Sequence, residues 1–304
     1  MSAVRGTKVG AALLSVASNS LLIVLKLTAG LLTGSIAILT EAVHSAIDLL
    51  ASIMALISVR KADVPADEDH PYGHEKAENI AAGAEAMLIL VGAAIIAFEA
   101  GRRIFDGGEI EHVGIGIAVI AFSAVANIVV SSFLYRRAAA HDSAALEGDA
   151  AHLRADAATS IAVLVGLLLV EVTGEPIFDA LAALVVAAAI VVAGVRLMKR
   201  SSRVLMDEAP AADLDRIEAA IAAARPPEMA GYHKLRARRA GARCFVDLHV
   251  QFRSGTSLER AHSLAHALRA SIEEALPMSD VLIHAEPETS LKSSERETGP
   301  LRHG

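Results

Sequence analysis

The chain has 304 residues, of which 54% are hydrophobic, and the apolar ones crowd into the first two thirds. That distribution excludes a uniformly water-soluble protein and implies a membrane domain followed by a soluble one. A formal charge of −7, with no strong basic cluster beyond the flanks of the apolar segments, gives no footing for nucleic acid, and a single cysteine, Cys244, excludes an intrachain disulfide or a multi-thiolate zinc site.

Six segments, at about 9–31, 36–60, 79–103, 113–136, 147–171 and 177–198, approach the roughly 20 apolar residues that a helix needs to cross a bilayer. The first contains Lys26 and lacks an A-x-A-like cleavage site, so it is expected to be a retained helix and not a signal peptide. The fifth starts unevenly: His152, Arg154 and Asp156 precede the clean run 157–170, as suits a helix that begins in water and lines a polar cavity. Arg5 and Lys8, Arg60, Lys61 and Lys76, Arg136, Arg137 and Arg154, and Arg196, Lys199, Arg200 and Arg203 fall on one side, against mainly Arg102 and Arg103 on the other. By the positive-inside rule both termini are cytoplasmic, in a multi-pass protein of the inner (plasma) membrane. With no Trp and only three Tyr there is almost no aromatic belt, so span ends are soft by several residues.

The loop between the second and third spans is rich in ionisable groups, and Pro65, Pro71 and Gly73 keep its centre irregular. The loops on the opposite face are short, with a Thr-Gly turn near 32–35 and Gly-Glu-Pro at 174–176. After the sixth span a basic stretch, 196–203, runs into Asp207-Glu-Ala-Pro210, a hinge. The soluble domain then has a helix at 211–224, stopped by Pro226-Pro227, and strands at 232–239 and 243–252 around Ala240-Gly241-Ala242. A helix at 257–275 follows, with Leu258, Ala261, Ala265, Leu268 and Ile272 facing inward, and a third strand at 281–286 closes the domain. The expected fold is a membrane all-α six-helix domain, 1–206, followed by a small α+β cytoplasmic domain, 207–290, of ferredoxin-like αββαβ order. Residues 291–304 are expected to be a disordered tail.

One short pattern occurs twice: His44-x-x-x-Asp48 in the second segment and His152-x-x-x-Asp156 at the start of the fifth. A four-residue step on a helix returns to nearly the same face, so each pair can aim both side chains at one spot. The two helices cross in opposite directions, which sets His44 opposite Asp156 and Asp48 opposite His152. Two imidazoles and two carboxylates suit a divalent ion of the zinc kind. The competing interpretation is helix-packing residues bonded to one another, but two pairs with the same spacing and order favour the metal. Imidazole must be neutral and Asp ionised to bind it, so loading expels protons. With reference values near 6.5 for His and 3.9 for Asp, such a site exchanges metal for protons around cytoplasmic pH.

A second set, Asp67, His70 and His74, lies in the ionisable loop, where Pro71 and Gly73 weaken the spacing argument; it is either a metal site or a solvated loop that meets headgroups. In the soluble domain, Asp247, His249 and Gln251 share the polar face of one strand, and His284 and Glu286 one face of the last. His262 and His266 fall one helical turn apart and His233 opens the first strand. Together they suggest a binding surface, although each alone is better explained as a surface residue than as a ligand.

With these residues in place, the chain resembles the cation diffusion facilitator family over about residues 10–290, and most nearly its bacterial zinc and iron efflux members. Its T-G-S-I-A-I-L-T-E-A-V-H-S-A-I-D-L-L and D-H-P-Y-G-H-E-K-A-E stretches are similar to that family's signatures. The resemblance implies a homodimer that exchanges cytoplasmic divalent metal for external protons by rocking between inward-open and outward-open states. It also implies roles by position. His44, Asp48, His152 and Asp156 would form the transport site, and Asp67, His70 and His74 a loop site at the membrane surface. His233, His249, His262, His284 and Glu286 would form a binuclear cytoplasmic site, and Lys76 with Asp207 a charge interlock of the membrane dimer. His266 has no counterpart and is expected to be surface. Some bacterial relatives have Asp where this chain has His44, and the His form points to zinc. Glu286 stands where a close relative's pattern has Asp, after an apolar Ala285, which leaves a full binuclear site less secure.

The function expected is efflux of Zn2+, with Cd2+ or Fe2+ also possible substrates, in exchange for protons, zinc serving as regulatory ligand as well. Two other readings stay open. An intramembrane zinc metalloenzyme needs an open coordination position and a base; no H-E-x-x-H occurs, and Glu41 is the one obvious base. The other is a non-transporting metal sensor on the same scaffold.

Overall fold

The computed structural model describes residues 2–33, 36–106, 114–175 and 177–289; at some positions within the helices, His44 and Glu41 among them, it describes the backbone alone. The expected disordered tail and the Gly34-Ser35 turn therefore lie outside the described residues. The chain divides into two compact units, Met1–Ser202 and Arg203–Gly304.

The first unit is helical: α1 (Ser2–Thr33), α2 (Ile36–Ala62), α3 (Lys76–Asp106), α4 (Gly114–His141), α5 (Ala144–Thr173) and α6 (Ile177–Leu205). Five stretches among the described residues, Lys8–Leu32, Lys76–Arg102, Ala118–His141, Ala144–Val170 and Ile177–Leu205, are long and apolar enough to cross a membrane. Each helix outruns its apolar segment because backbone hydrogen bonding continues through polar end turns. The uneven start of the fifth segment resolves as one continuous helix. Ser143 caps α5 by accepting from the Leu146 N–H at 3.4 Å, and the helix runs unbroken through His152, Arg154 and Asp156. Its other end stops at Gly174, whose φ of 75° is the left-handed conformation that glycine adopts without strain, and whose N–H reaches the Val170 carbonyl at 2.8 Å.

Small side chains set the packing. Ala11, Ala12, Ala55, Ala145 and Ala150 are buried with Leu134, Leu146 and Leu153 between α1, α2, α4 and α5. Ala82, Ala86 and Ala93 of α3 form a second cluster with Ile190 and Leu197 of α6. α3 packs close to α5 at Gly148, where an added Cβ would lie 3.2 Å from the Ala82 Cα. Small residues at such crossings let helix backbones approach, which is how helices gain contact where lipid removes the hydrophobic drive between them. Large apolar side chains such as Leu21, Phe98, Val129, Leu168 and Val185 point outward. Ion pairs fasten the end at which α1, α3 and α5 begin: Lys8 to Glu78 at 3.0 Å, and Arg200 to Asp142 at 3.2 Å and Glu147 at 2.5 Å.

The second unit runs α7 (Ala211–Ala224), β1 (Met229–Ala240), β2 (Arg243–Phe252), α8 (Leu258–Ala275) and β3 (Ser279–Pro287). The three strands lie in the order β1-β2-β3, with β1 antiparallel and β3 parallel to the central β2. The alternation Cys244, Val246, Leu248, Val250, Phe252 is buried along β2, and Ile217 and Ile221 of α7 and Leu268 and Ile272 of α8 close over that face. Leu258 is the exception to the expected inward stripe. It is 79% exposed, as the first helical residue after the Ser257 cap.

Arg239 of β1 holds Asp213 of α7 in a two-point pair, at 2.5 Å and 2.9 Å, with the Asp213 side chain only 5% exposed. Arg239→Met removes the partner of a buried carboxylate, a loss of about 3 kcal/mol. Amides of β1 and β2 in the full-length protein should then exchange hydrogen about 100-fold faster; unchanged exchange would show that the helix N-terminus alone stabilises Asp213.

Candidate metal centres

Among the described residues, three groups bring ligand atoms within 4.8 Å of one another: Asp48, His152 and Asp156; Asp67, His70 and His74; and His233, His249 and Glu286.

The first lies inside the helical unit. Asp48 of α2 faces His152 of α5, Oδ1 to Nε2 at 3.2 Å, and Asp156, one turn further along α5, approaches the same Nε2 at 3.8 Å. Asp48 and His152 are buried and Asp156 partly so. The Nδ1 of His152 is buried without a hydrogen-bond partner among the described residues. The backbone of His44 lies one turn before Asp48 on α2, but its side chain is outside the described residues. Arg154, between the two α5 donors, turns instead to α4, bonding Ser131 at 3.3 Å and Ser132 at 3.1 Å. An imidazole and two carboxylates converging in a mostly apolar interior can hold a divalent cation, which would replace the hydrogen bond now joining Asp48 to His152.

A buried polar network that spacing alone did not reveal supports this group. Ser52, one turn after Asp48, donates to Asp149 Oδ1 at 2.8 Å and bonds Ser15 at 3.0 Å, and it accepts from Asn19 at 2.8 Å. Asn19 also reaches the Asp48 carbonyl at 3.5 Å. Asp149 carried a signal: it precedes His152 by three residues and so shares its helical face.

The second group is assembled by turns and not by helical spacing. The Asp67 carboxylate accepts the His70 backbone N–H at 2.7 Å and lies 3.2 Å from His70 Nδ1 and 3.3 Å from His74 Nε2. Gly73, at φ 88°, lets the chain double back between the histidines. That backbone hydrogen bond from His70 is the main reason the Asp67 carboxyl sits below its ordinary range, with the His70 and His74 imidazoles adding to it. Asp67 and His70 are exposed and His74 is buried, its Nδ1 3.3 Å from the Val64 carbonyl.

The third group lies across the sheet, on the face away from α7 and α8. His233, His249 and His284 occupy one row, paired in register from β1 through β2 to β3. Glu286 Oε2 is 3.0 Å from His233 Nε2, Oε1 is 2.5 Å from His249 Nδ1, and His284 Nε2 stands 3.6 Å from Oε1. His233 reaches this face through a β-bulge. Between His233 and Arg236 β1 has one residue more than β2 has between His249 and Asp247, and Lys234 takes a φ of 52° there. Without it, strict alternation would put His233 on the core face with Leu235 and Ala237. Imidazoles and a carboxylate in this arrangement fit zinc.

Not every expected member joins the row. His262 is exposed on α8 with its ring 4.4 Å from that of His266, so within one chain it belongs to a separate pair. Lys76 is the first residue of α3, and Asp207, at φ 57°, follows α6 and lies 3.3 Å from Arg238. Burial pushes the Cys244 thiol up to about 11, which keeps it out of metal chemistry.

Residues 12–206 match the family model of the cation efflux transmembrane domain, and residues 209–288 that of the cation efflux protein cytoplasmic domain, a dimer domain in the family. An uncharacterised transporter of Synechocystis is 33% identical over 285 residues, covering 93% of this chain and 91% of its own. The cation-efflux pump FieF of Shewanella oneidensis is 34% identical over 273 residues, covering 90% and 92%. Among solved structures, the metal-bound C-terminal domain of the CzcD transporter from Thermotoga maritima is 27% identical, with a TM-score of 0.25, and covers 27% of this chain and 93% of that one. The chain therefore belongs to the cation efflux, or cation diffusion facilitator, family of multi-pass membrane transporters, and its activity is the efflux of divalent metal cations.

Proposed function

We propose that the protein exports Zn2+ from the cytoplasm in exchange for protons, by alternating access of the site at His44, Asp48, His152 and Asp156. The observation that carries this is the convergence of Asp48, His152 and Asp156 within 4.8 Å in the interior of the helical unit. One imidazole from each His-x-x-x-Asp pair, two carboxylates and no thiolate favour zinc over softer-ligand ions. All six helices cross the inner membrane, both termini are cytoplasmic, and the ferredoxin-like second domain, 207–290, lies on the cytoplasmic side of a homodimer. Proton exchange follows from the donors: a dication cannot bind while the imidazoles are protonated, so each loading event releases protons and each protonation helps expel the metal.

The third group, extended by His284 and by His262, is regulatory. Zinc bound there tightens the dimer and shifts the membrane domain toward transport. Asp67, His70 and His74 collect metal at the membrane surface, and Lys76 with Asp207 fastens the membrane dimer near the hinge.

The test is competition among zinc, cadmium, iron and manganese for uptake into proteoliposomes of purified protein, with the pH gradient varied. Zinc is expected to compete best, and its flux to rise with the opposing proton gradient. A flux indifferent to that gradient overturns antiport.

A further inference from the structure

Gln251 shares the outer face of the sheet with His233, His249 and Glu286, yet it supplies none of their converging ligand atoms. It stands two residues after His249 on β2, so the two side chains leave the strand on the same side. Its neighbours in register are Gly231 on β1 and Glu286 on β3, and adjacent strands lie about 4.8 Å apart. Gln251 is only 8% exposed. Its amide oxygen lies 3.5 Å from the place a Cβ would occupy at Gly231, and the amide nitrogen is farther from that point. That nitrogen, Nε2, is buried and has no hydrogen-bond partner among the described residues.

A buried amide nitrogen without an acceptor destabilises a fold, because its hydrogen bonds to water are lost and not replaced. A Met of similar volume would fill the space without that cost. The acceptor next to Gln251 in register, the Glu286 carboxylate, is already engaged: Oε2 lies 3.0 Å from His233 Nε2 and Oε1 2.5 Å from His249 Nδ1. A divalent cation ends that engagement. An imidazole nitrogen that ligates a metal carries no hydrogen, so it no longer donates to Glu286. A carboxylate has about four lone-pair sites, more than one cation uses, and ligating carboxylates are themselves held by donors outside the metal's shell. Gln251 is an uncharged donor one strand away, with two hydrogens to give.

We infer that Gln251 is a positioning residue of this group, whose amide donates to the Glu286 carboxylate and fixes it once a divalent cation has taken the nitrogens of His233 and His249. This rests on reading His233, His249 and Glu286 as a metal site. The same amide weakens the metal-free domain and strengthens the metal-bound one, so it widens the difference between the two states.

Gln251 is the only glutamine in the chain, so a glutamine side-chain label reports on it alone. Full-length protein in lipid nanodiscs, stripped of metal and carrying nitrogen-15 in that amide, is titrated with zinc chloride and followed by NMR and calorimetry. The amide proton signals should move downfield as the cytoplasmic site fills; signals that zinc leaves in place overturn the inference. Gln251→Met should weaken the class of zinc sites that Glu286→Gln removes by about 10-fold or more, while β1 and β2 amides of the metal-free variant exchange hydrogen no faster than in the unaltered protein. Unchanged affinity overturns the inference. So does faster exchange, which would make Gln251 a structural residue whose loss loosens the sheet. Glu286→Gln separates the two failures. If the metal reading is wrong, Glu286→Gln and Gln251→Met both bind zinc as the unaltered protein does. If only the role of Gln251 is wrong, Glu286→Gln loses a class of sites that Gln251→Met keeps at full affinity.

Discussion

Asp48→Ala should abolish zinc flux in proteoliposomes. A zinc site with four protein ligands supplies about 10–16 kcal/mol, so removing one ligand forfeits roughly a quarter of that and weakens binding by about 100-fold or more. Here the loss is compounded, because His152 Nε2 is 3.2 Å from Asp48 Oδ1 and would be left facing a buried gap. Asp48→Asn keeps the shape and removes the charge, so it separates ligand loss from packing. Both variants should fall to the background of empty vesicles, and His44→Ala and Asp156→Ala should do the same. Flux unchanged in any of the four would remove that residue from the site. Thermal unfolding alongside distinguishes a dead transporter from an unfolded one.

The second large effect is expected at Glu286. Its carboxylate is shared between His233 and His249, at 3.0 Å and 2.5 Å, and its side chain is only 14% exposed. Glutamine fills the same volume without the charge that a dication between two imidazoles needs. Zinc affinity of the cytoplasmic site should fall about 100-fold in Glu286→Gln, seen as one class of sites lost in a calorimetric titration. On the proposed regulatory role, in which the site does not carry the ion, transport in this variant, and in His249→Ala with His284→Ala, should need more zinc for activation yet stay measurable. Complete loss of transport in a folded protein would contradict the regulatory role.

Much of the architecture was legible in the sequence because it rests on periodicity. The alternation from Cys244 to Phe252 is buried as written, and the apolar runs became long helices. Spacing likewise placed Asp48 opposite His152 and put Asp156 on the same side. What was hidden depended on non-repeating geometry. Asp67, His70 and His74 meet through turns around Gly73 whose path no period encodes. Leu258 matched the inward stripe of α8 but sits exposed in its first turn. Glu85 is a lone carboxylate in an apolar run, and only the approach of α3 to α5 sets its carboxyl against Gly148.

The extra residue in β1 changes how this domain should be compared with its relatives. Leu235, Ala237 and Arg239 follow one phase of the strand, and His233 follows the other only because Lys234 interrupts the count. A protein with every one of these histidines but one residue fewer between positions 233 and 236 would keep its sheet and its helices. It would also turn one imidazole toward the core face and away from Glu286. Ligand identity alone would score that protein as metal-responsive, whereas strand phase would mark it as blind to the ion. In this domain the grouping of His233 with His249 and Glu286 depends as much on an insertion as on any side chain.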